Sequence, residues 1–168
     1  MNDKKRVLIL CTGNSARSQM AEGLLRHAAD DQFEVASAGV APSSVRPEAV
    51  EAMREIGIDI SSHRSKSADE LAAEHFDYII TVCDHAKETC PIFRGAGARI
   101  HQNFEDPPPA SVGDDESRLK IFRRVRDEIR EWLDIFIRDQ SKFAGKIAPN
   151  AERINRSQST ESLPILKK

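Results

Sequence analysis

No apolar run in this sequence approaches the roughly 20 residues that a membrane-spanning helix needs. The N-terminal MNDKKRVLIL has a basic start but lacks the long apolar core and small-residue cleavage site of a leader. An excess of one charge is also missing. With 25 basic and 27 acidic side chains and a net charge of −2, nothing recommends nucleic acid or a membrane surface as a partner. Cysteine is sparse. The three residues are an odd number, widely spaced, and make no framework of secreted disulfides. The cytoplasm is therefore the expected compartment, where such thiols read as reactive or metal-binding groups. What remains, 168 residues with 39% hydrophobic and 31% charged content, suits one globular domain with a full core and some surplus chain.

The chain is organised around VLILCTGNSARS, residues 7–18. Val7, Leu8, Ile9 and Leu10 read as a buried parallel strand that ends at Cys11. Thr12, Gly13, Asn14, Ser15 and Ala16 are small enough for a tight loop, and Arg17 and Ser18 open a helical pattern. Successive N–H groups in such a loop form a concave nest for an oxyanion, and the helix dipole points the same way. Arg17 adds a planar, bidentate fork. The same positive field is expected to hold Cys11 as a thiolate, the nucleophilic form.

Taken in order, Met20, Ala21, Leu24, Leu25 and Ala28 give a first helix from about Ala16 to Ala29. Phe33 to Ala36 reads as a second strand closed by a Ser37-Ala38-Gly39 turn. Pro47 and Gly57 frame a second helix, and Ala68 to Ala73 a short one. Phe76 to Val82 is a third strand, apolar enough to be covered on both faces. Arg99 to His101 is a fourth. The longest helix spans Glu116 to about Ile137, with Leu119, Phe122, Val125, Ile129, Leu133 and Phe136 in one stripe and Trp132 beside it. The alternation predicts an α/β fold, a four-stranded parallel sheet with helices on both faces, three-layered and flavodoxin-like. Ligands bind such sheets beyond the carboxyl ends of the strands, where Cys11 and Cys83 both fall. If strands one and three are neighbours, both thiols open onto one crevice. Residues 1–140 form the domain. Residues 141–168, with six basic and two acidic side chains, read as a flexible tail with at most a helical turn around Asn150 to Ile154.

Cys83 and Cys90 are seven residues apart. If the segment between them is helical, about 10.5 Å of axial rise separates them, beyond the roughly 7 Å between Cα atoms that a disulfide spans. Bridging would then require local unwinding, which makes the segment a redox switch. The plain alternative is a pair of inert core cysteines. Zinc on Cys83, His85 and Cys90, with His101, matches no common spacing, so no metal site is expected. His27 and His75 read as surface helix residues, and His63 lies in a polar loop. Asp106, fixed by Pro107, is placed to protonate a leaving oxygen, although a loop aspartate of this kind also serves simply to begin a turn.

The Cys-x5-Arg-Ser pattern resembles the signature loop of the low-molecular-weight tyrosine phosphatase fold. Those phosphatases usually carry a second cysteine beside the arginine, where this chain has Ala16. They also carry tyrosines after Asp-Pro, where it has prolines and alanine. With CTGNSARS, ITVCDHAKETCP, NFEDPP and FRRVRDEI taken together, from about Arg6 to Ile137, the chain resembles the thioredoxin-coupled arsenate reductases. That resemblance implies attack on arsenic by Cys11, oxygens held by Arg17 and the loop 12–18, and protonation of the departing hydroxide by Asp106. It implies a Ser18 hydrogen bond to the Cys11 thiolate, Asn14 as a brace, and disulfides passing from Cys11–Cys83 to Cys83–Cys90. Arsenate is the implied substrate, with phosphate or sulfate as competing oxyanions. The expectation is of no bound cofactor, thioredoxin as the external reductant, and a monomer.

Some members of that family bind potassium beside the loop, through residues matching Asn14, Glu22 and Ser37 together with an aspartate. Ungapped alignment through IDISSHRSKS puts Lys66 at the aspartate. A lysine has no acceptor, so it is expected to replace the cation, pairing with Glu22 and donating to Asn14 and Ser37. A low-molecular-weight protein tyrosine phosphatase is the alternative function, with some ester hydrolysis expected in either case. A non-catalytic, redox-sensitive oxyanion-binding module is the alternative of another class.

Overall fold

A computed structural model describes residues 3–93 and 97–143. Strand β1 (Lys5–Cys11) is followed by α1 (Arg17–Ala29), β2 (Phe33–Gly39), α2 (Pro47–Arg54), β3 (Tyr78–Thr81), α3 (Asp84–Thr89), β4 (Ala98–His101) and α4 (Asp115–Arg138). Short 3-10 turns cover Ala68–Leu71 and Gln140–Phe143. The four strands form one parallel sheet in the order β2-β1-β3-β4. The crossover from β1 to β2 runs one way along the sheet and that from β3 to β4 the other. Right-handed connections running in opposite directions lie on opposite faces, so helices cover both.

Val7, Leu8, Ile9 and Leu10 are fully buried, as a central strand covered on both faces requires. Phe136 of α4 joins the sheet to its helical layer, with its ring 5.4 Å from Phe33 on β2 and 5.3 Å from Tyr78 on β3. Trp132 stacks on Phe136, centroids 6.0 Å apart, a packing role. Asp114 caps α4, its carboxylate accepting from Ser117 N–H at 2.8 Å. A cap of this kind is worth about 1 kcal/mol.

Four boundaries differ from the sequence reading. Ser37-Ala38-Gly39 is not a turn but the end of β2, paired through Gly39 with Cys11, because small residues let the strand run close under the catalytic loop. The helix expected over Ala68 to Ala73 is only the 3-10 turn. The third strand is confined to Tyr78–Thr81, although Asp77 N–H to Arg6 O and Val82 N–H to Leu10 O extend its contacts with β1. Phe143 lies beyond the expected end of the domain, yet packs on Trp132 at 5.3 Å, which carries the core past Gln140. The turn expected at Asn150 to Ile154 lies outside the described residues.

Gly39 shows how tightly sheet and loop meet. A Cβ there would stand 2.6 Å from Thr12 O and 2.9 Å from Asn14 N, backbone atoms that cannot swing aside. Gly39→Ala should therefore lower stability by about 1–3 kcal/mol, the range for overpacking, read as a reduced midpoint in urea unfolding. An unchanged midpoint would show that the loop yields freely.

Candidate active site

The loop after β1 is built by turning its carbonyls outward. Cys11 O accepts from Val40 N–H, Thr12 O from Ala41 N–H, Gly13 O from Ser43 N–H, Ser15 O from Arg46 N–H and Ala16 O from Met20 N–H, at 2.8 to 3.2 Å. Asn14 O accepts from Gln19 Nε2 at 3.0 Å. With six successive carbonyls engaged from outside, the N–H groups of Gly13 to Ala16 donate to no acceptor among the described residues. Thr12 N–H is turned to the Cys11 sulfur. This is the concave donor nest that small residues make sterically accessible.

Asn14 holds the turn, with φ 47, the only positive φ at a non-glycine among the described residues. Its buried side chain explains how that conformation is kept. Nδ2 donates to Ser18 Oγ at 2.8 Å and to Ser37 Oγ at 3.0 Å. Oδ1 accepts from Gln19 Nε2 at 2.9 Å and from the backbone N–H of Lys66 at 3.1 Å. Gln19 also contacts His63 Nδ1 at 3.0 Å, and Ser65 Oγ donates to Gly13 O at 2.8 Å. Gln19 and Ser65 were not singled out in the sequence. The only available sign was a polar Gln19 directly before the apolar Met20 and Ala21 in the first turn of α1.

Arg17 is 7% exposed and crosses to the loop after β4. Nη1 donates to Phe104 O at 2.9 Å and Nη2 meets Asp106 Oδ1 at 3.1 Å. Its Nε–H is buried with no partner among the described residues. A buried guanidinium N–H costs free energy unless something accepts from it, so this atom marks where an oxyanion belongs. Asp106 itself is exposed at the rim, on a segment anchored by buried Phe104 and by Pro108 O, which accepts from Arg46 Nη1 at 3.1 Å.

The sheet brings the second cysteine to the first. β1 and β3 pair from Val7↔Tyr78 to Leu10↔Thr81, so Cys11 and Cys83 leave adjacent strands at the same edge. The Cys11 thiol donates to the Cys83 sulfur, which also meets Thr12 Oγ1 at 3.3 Å and accepts Ala86 N–H at 3.4 Å. Cys83 is thus the N-cap of α3. The bond from Cys11, with those from Thr12 and Ala86 and the nearby Arg17 charge, lowers its pKa to about 5. Donation to Cys83 and burial push the Cys11 thiol up, against the pull of Arg17 and Thr12 N–H. The bond between the sulfurs thus favours a thiolate on Cys83 over the thiolate expected on Cys11.

Cys90 closes α3 at the other end, half-buried and away from this pair. All three cysteines are free. The segment between Cys83 and Cys90 is helical over Asp84–Thr89, as the redox-switch reading requires.

Two supporting roles need correction. Ser18 Oγ accepts from Asn14 Nδ2, which leaves its O–H free to donate, yet it makes no bond to Cys11 among the described residues. The ammonium of Lys66 does not hold Glu22, Asn14 or Ser37, and Lys66 reaches Asn14 through its backbone alone. Glu22 is buried, with Oε1 accepting from Arg26 Nη2 at 2.7 Å and Oε2 from Ser37 Oγ at 2.5 Å. Arg26, one helical turn along α1, supplies the cation that Lys66 was expected to supply. His27 is exposed on α1, whereas His75 is exposed on the segment before β3 rather than on a helix. His101 turns toward Asp84 rather than toward the cysteines. No group of three or more His, Cys, Asp or Glu residues is placed to hold a metal, and no helix is long and apolar enough to cross a membrane, among the described residues.

A thiol beneath a nest of backbone donors, with a buried arginine and a rim aspartate, defines a phosphatase-like catalytic loop. Residues 6–143 match the low molecular weight phosphotyrosine protein phosphatase family, and the chain belongs to it. Among its relatives, an arsenate reductase of Halalkalibacterium halodurans is 45% identical over 134 residues, covering 80% of this chain and 96% of that protein. A solved arsenate reductase in the phosphate binding state aligns with a TM-score of 0.64 at 30% identity, over 80% of this chain and 97% of that one. A thioredoxin-dependent arsenate reductase of Corynebacterium glutamicum aligns at 0.56 and 30% identity, over 81% of this chain and 64% of that one.

The sulfur pair makes a prediction in the absence of substrate. In reduced Cys90→Ser protein, ultraviolet thiolate absorbance should be lost as pH falls through about 5. Thr12→Val should move that midpoint upward by about one unit, the effect of one lost hydrogen bond to the charged form. A thiolate that appears only at ordinary cysteine pH would contradict that preference.

Proposed function

We propose that this protein reduces arsenate to arsenite and is regenerated by thioredoxin. The observation that carries the reading is the contact between Cys83 and Cys11 inside an oxyanion cradle. Ester hydrolysis needs one sulfur, whereas reduction needs a second thiol within reach to take up the oxidation.

Arsenate is a tetrahedral oxyanion that the N–H groups of Gly13 to Ala16 and Nε–H of Arg17 can hold. Sulfur of Cys11 attacks arsenic, an S–As bond forms, and an arsenic oxygen leaves as water with protons from Cys11 and Asp106. The Cys83 thiolate then attacks the Cys11 sulfur. The S–S bond forms, the S–As bond breaks, and its electron pair stays on arsenic, which departs as arsenite. Cys90 next attacks Cys83 and expels Cys11 as thiolate. Thioredoxin reduces the resulting Cys83–Cys90 bridge by the same exchange chemistry. The cytoplasm, where thioredoxin keeps thiols reduced, suits this cycle, and no bound cofactor enters it. A monomer holds all of these groups in one chain. The same cradle and acid support some phosphomonoester hydrolysis.

The test follows NADPH oxidation with arsenate, thioredoxin and thioredoxin reductase, beside a parallel assay of ester hydrolysis. Cys11→Ser should abolish both activities. Cys83→Ser and Cys90→Ser should stop arsenate turnover beyond the first cycle while most ester hydrolysis remains. Equal loss of both activities in Cys90→Ser would make that cysteine structural and defeat the relay.

A further inference from the structure

Cys90 is set against a cation that neither the cradle nor the rim aspartate uses. Arg99 lies on β4 opposite Ile79 and reaches back to the end of α3. Its Nη1 is 3.5 Å from Cys90 Sγ, and Nη2 donates to Pro91 O at 3.4 Å. The guanidinium fork therefore holds both the sulfur and the backbone that follows it. Among the described residues Arg99 makes no ion pair with a carboxylate, so its acceptors are the Cys90 sulfur and Pro91 O alone. Two residues along, on the same face of the strand, His101 meets Asp84 Oδ1 at 2.7 Å and Thr81 Oγ1 at 2.8 Å. β4 thus grips α3 at both ends. Cys90 itself has left the helical conformation, with φ −58 and ψ 127.

We propose that Arg99 is a catalytic residue of the second thiol–disulfide exchange, its guanidinium touching the Cys90 sulfur, favouring the thiolate and holding it at the end of α3 until that end unwinds toward Cys83. The assignment rests on the relay described above. In that step Cys90 releases its proton to solvent and its sulfur attacks Cys83. The bond between Cys90 and Cys83 forms, the bond between Cys83 and Cys11 breaks, and the electron pair leaves on Cys11. Burial pushes the Cys90 thiol up, and the charge and hydrogen bond of Arg99 draw it part of the way back. One pKa unit changes the thiolate fraction about tenfold at neutral pH. A more basic thiolate is intrinsically about threefold more nucleophilic per unit, which leaves a net loss of about threefold without Arg99.

The test uses the full chain with Cys11→Ser and Cys83→Ser, so that Cys90 is the single thiol. Serine at position 83 keeps an N-cap acceptor for Ala86 N–H. The rate of Cys90 alkylation by iodoacetamide is followed across pH. Arg99→Gln should raise the midpoint by about one unit and slow alkylation at neutral pH about threefold. Arg99→Lys, which keeps the charge, should recover most of the difference. His101→Asn, which frees the opposite end of α3, should leave the midpoint in place. An unmoved midpoint in Arg99→Gln, or an equal shift in His101→Asn, would overturn the proposal. The titration needs neither arsenate nor thioredoxin, so a failed relay and a failed role for Arg99 are told apart.

Discussion

The parallel pairing of β1 with β3 is the constraint on which the site depends. β1 lies between β2 and β3, and its last residue, Cys11, sits opposite Gly39 on one side while its ladder with β3 runs to Leu10↔Thr81 on the other. A parallel ladder brings both strand ends to one edge of the sheet. Two cysteines 72 residues apart in sequence thereby meet through their side chains, with no loop needed to carry either one. Slipping that register would move each side chain to the opposite face and separate the sulfurs.

Everything around the pair turns on where charge is placed. Outward-facing carbonyls leave inward-facing N–H groups, and Arg17 adds a buried cation, so the crevice favours anions of either kind, oxyanion or thiolate. The N-terminus of α3 makes Cys83 the better site for the resting negative charge. Donation from the Cys11 thiol to the Cys83 sulfur avoids two adjacent negative charges beneath an incoming anion. A buried, like-charged pair would be costly, and a shared proton removes the conflict.

Much of this was legible in the sequence because it is carried by local pattern. VLIL followed by small residues and Arg17 specifies strand, nest and helix without tertiary information, and the wide separation of the three cysteines already argued against a disulfide framework. Other features depended on contacts that spacing does not encode. The proton between Cys11 and Cys83 depends on the geometry of two distant segments. Arg26 reaches Glu22 because both lie on one face of α1, yet the alignment pointed to Lys66, whose backbone rather than ammonium serves the loop. Ser18 was expected at Cys11, whereas the described bond it makes is as acceptor from the Asn14 amide. Arg99 gave no signal and His101 only that of an unmatched zinc spacing, since charged residues at alternate positions on an edge strand usually face solvent.

The central claim is that oxidation passes from arsenic to the Cys11–Cys83 pair. It is tested most directly by treating reduced Cys90→Ala protein with one equivalent of arsenate and no reductant, then mapping disulfide-linked peptides and measuring arsenite. The account predicts one Cys11–Cys83 bridge for each arsenite released. Arsenite formed without that bridge, or both thiols left free with no arsenite, would contradict it.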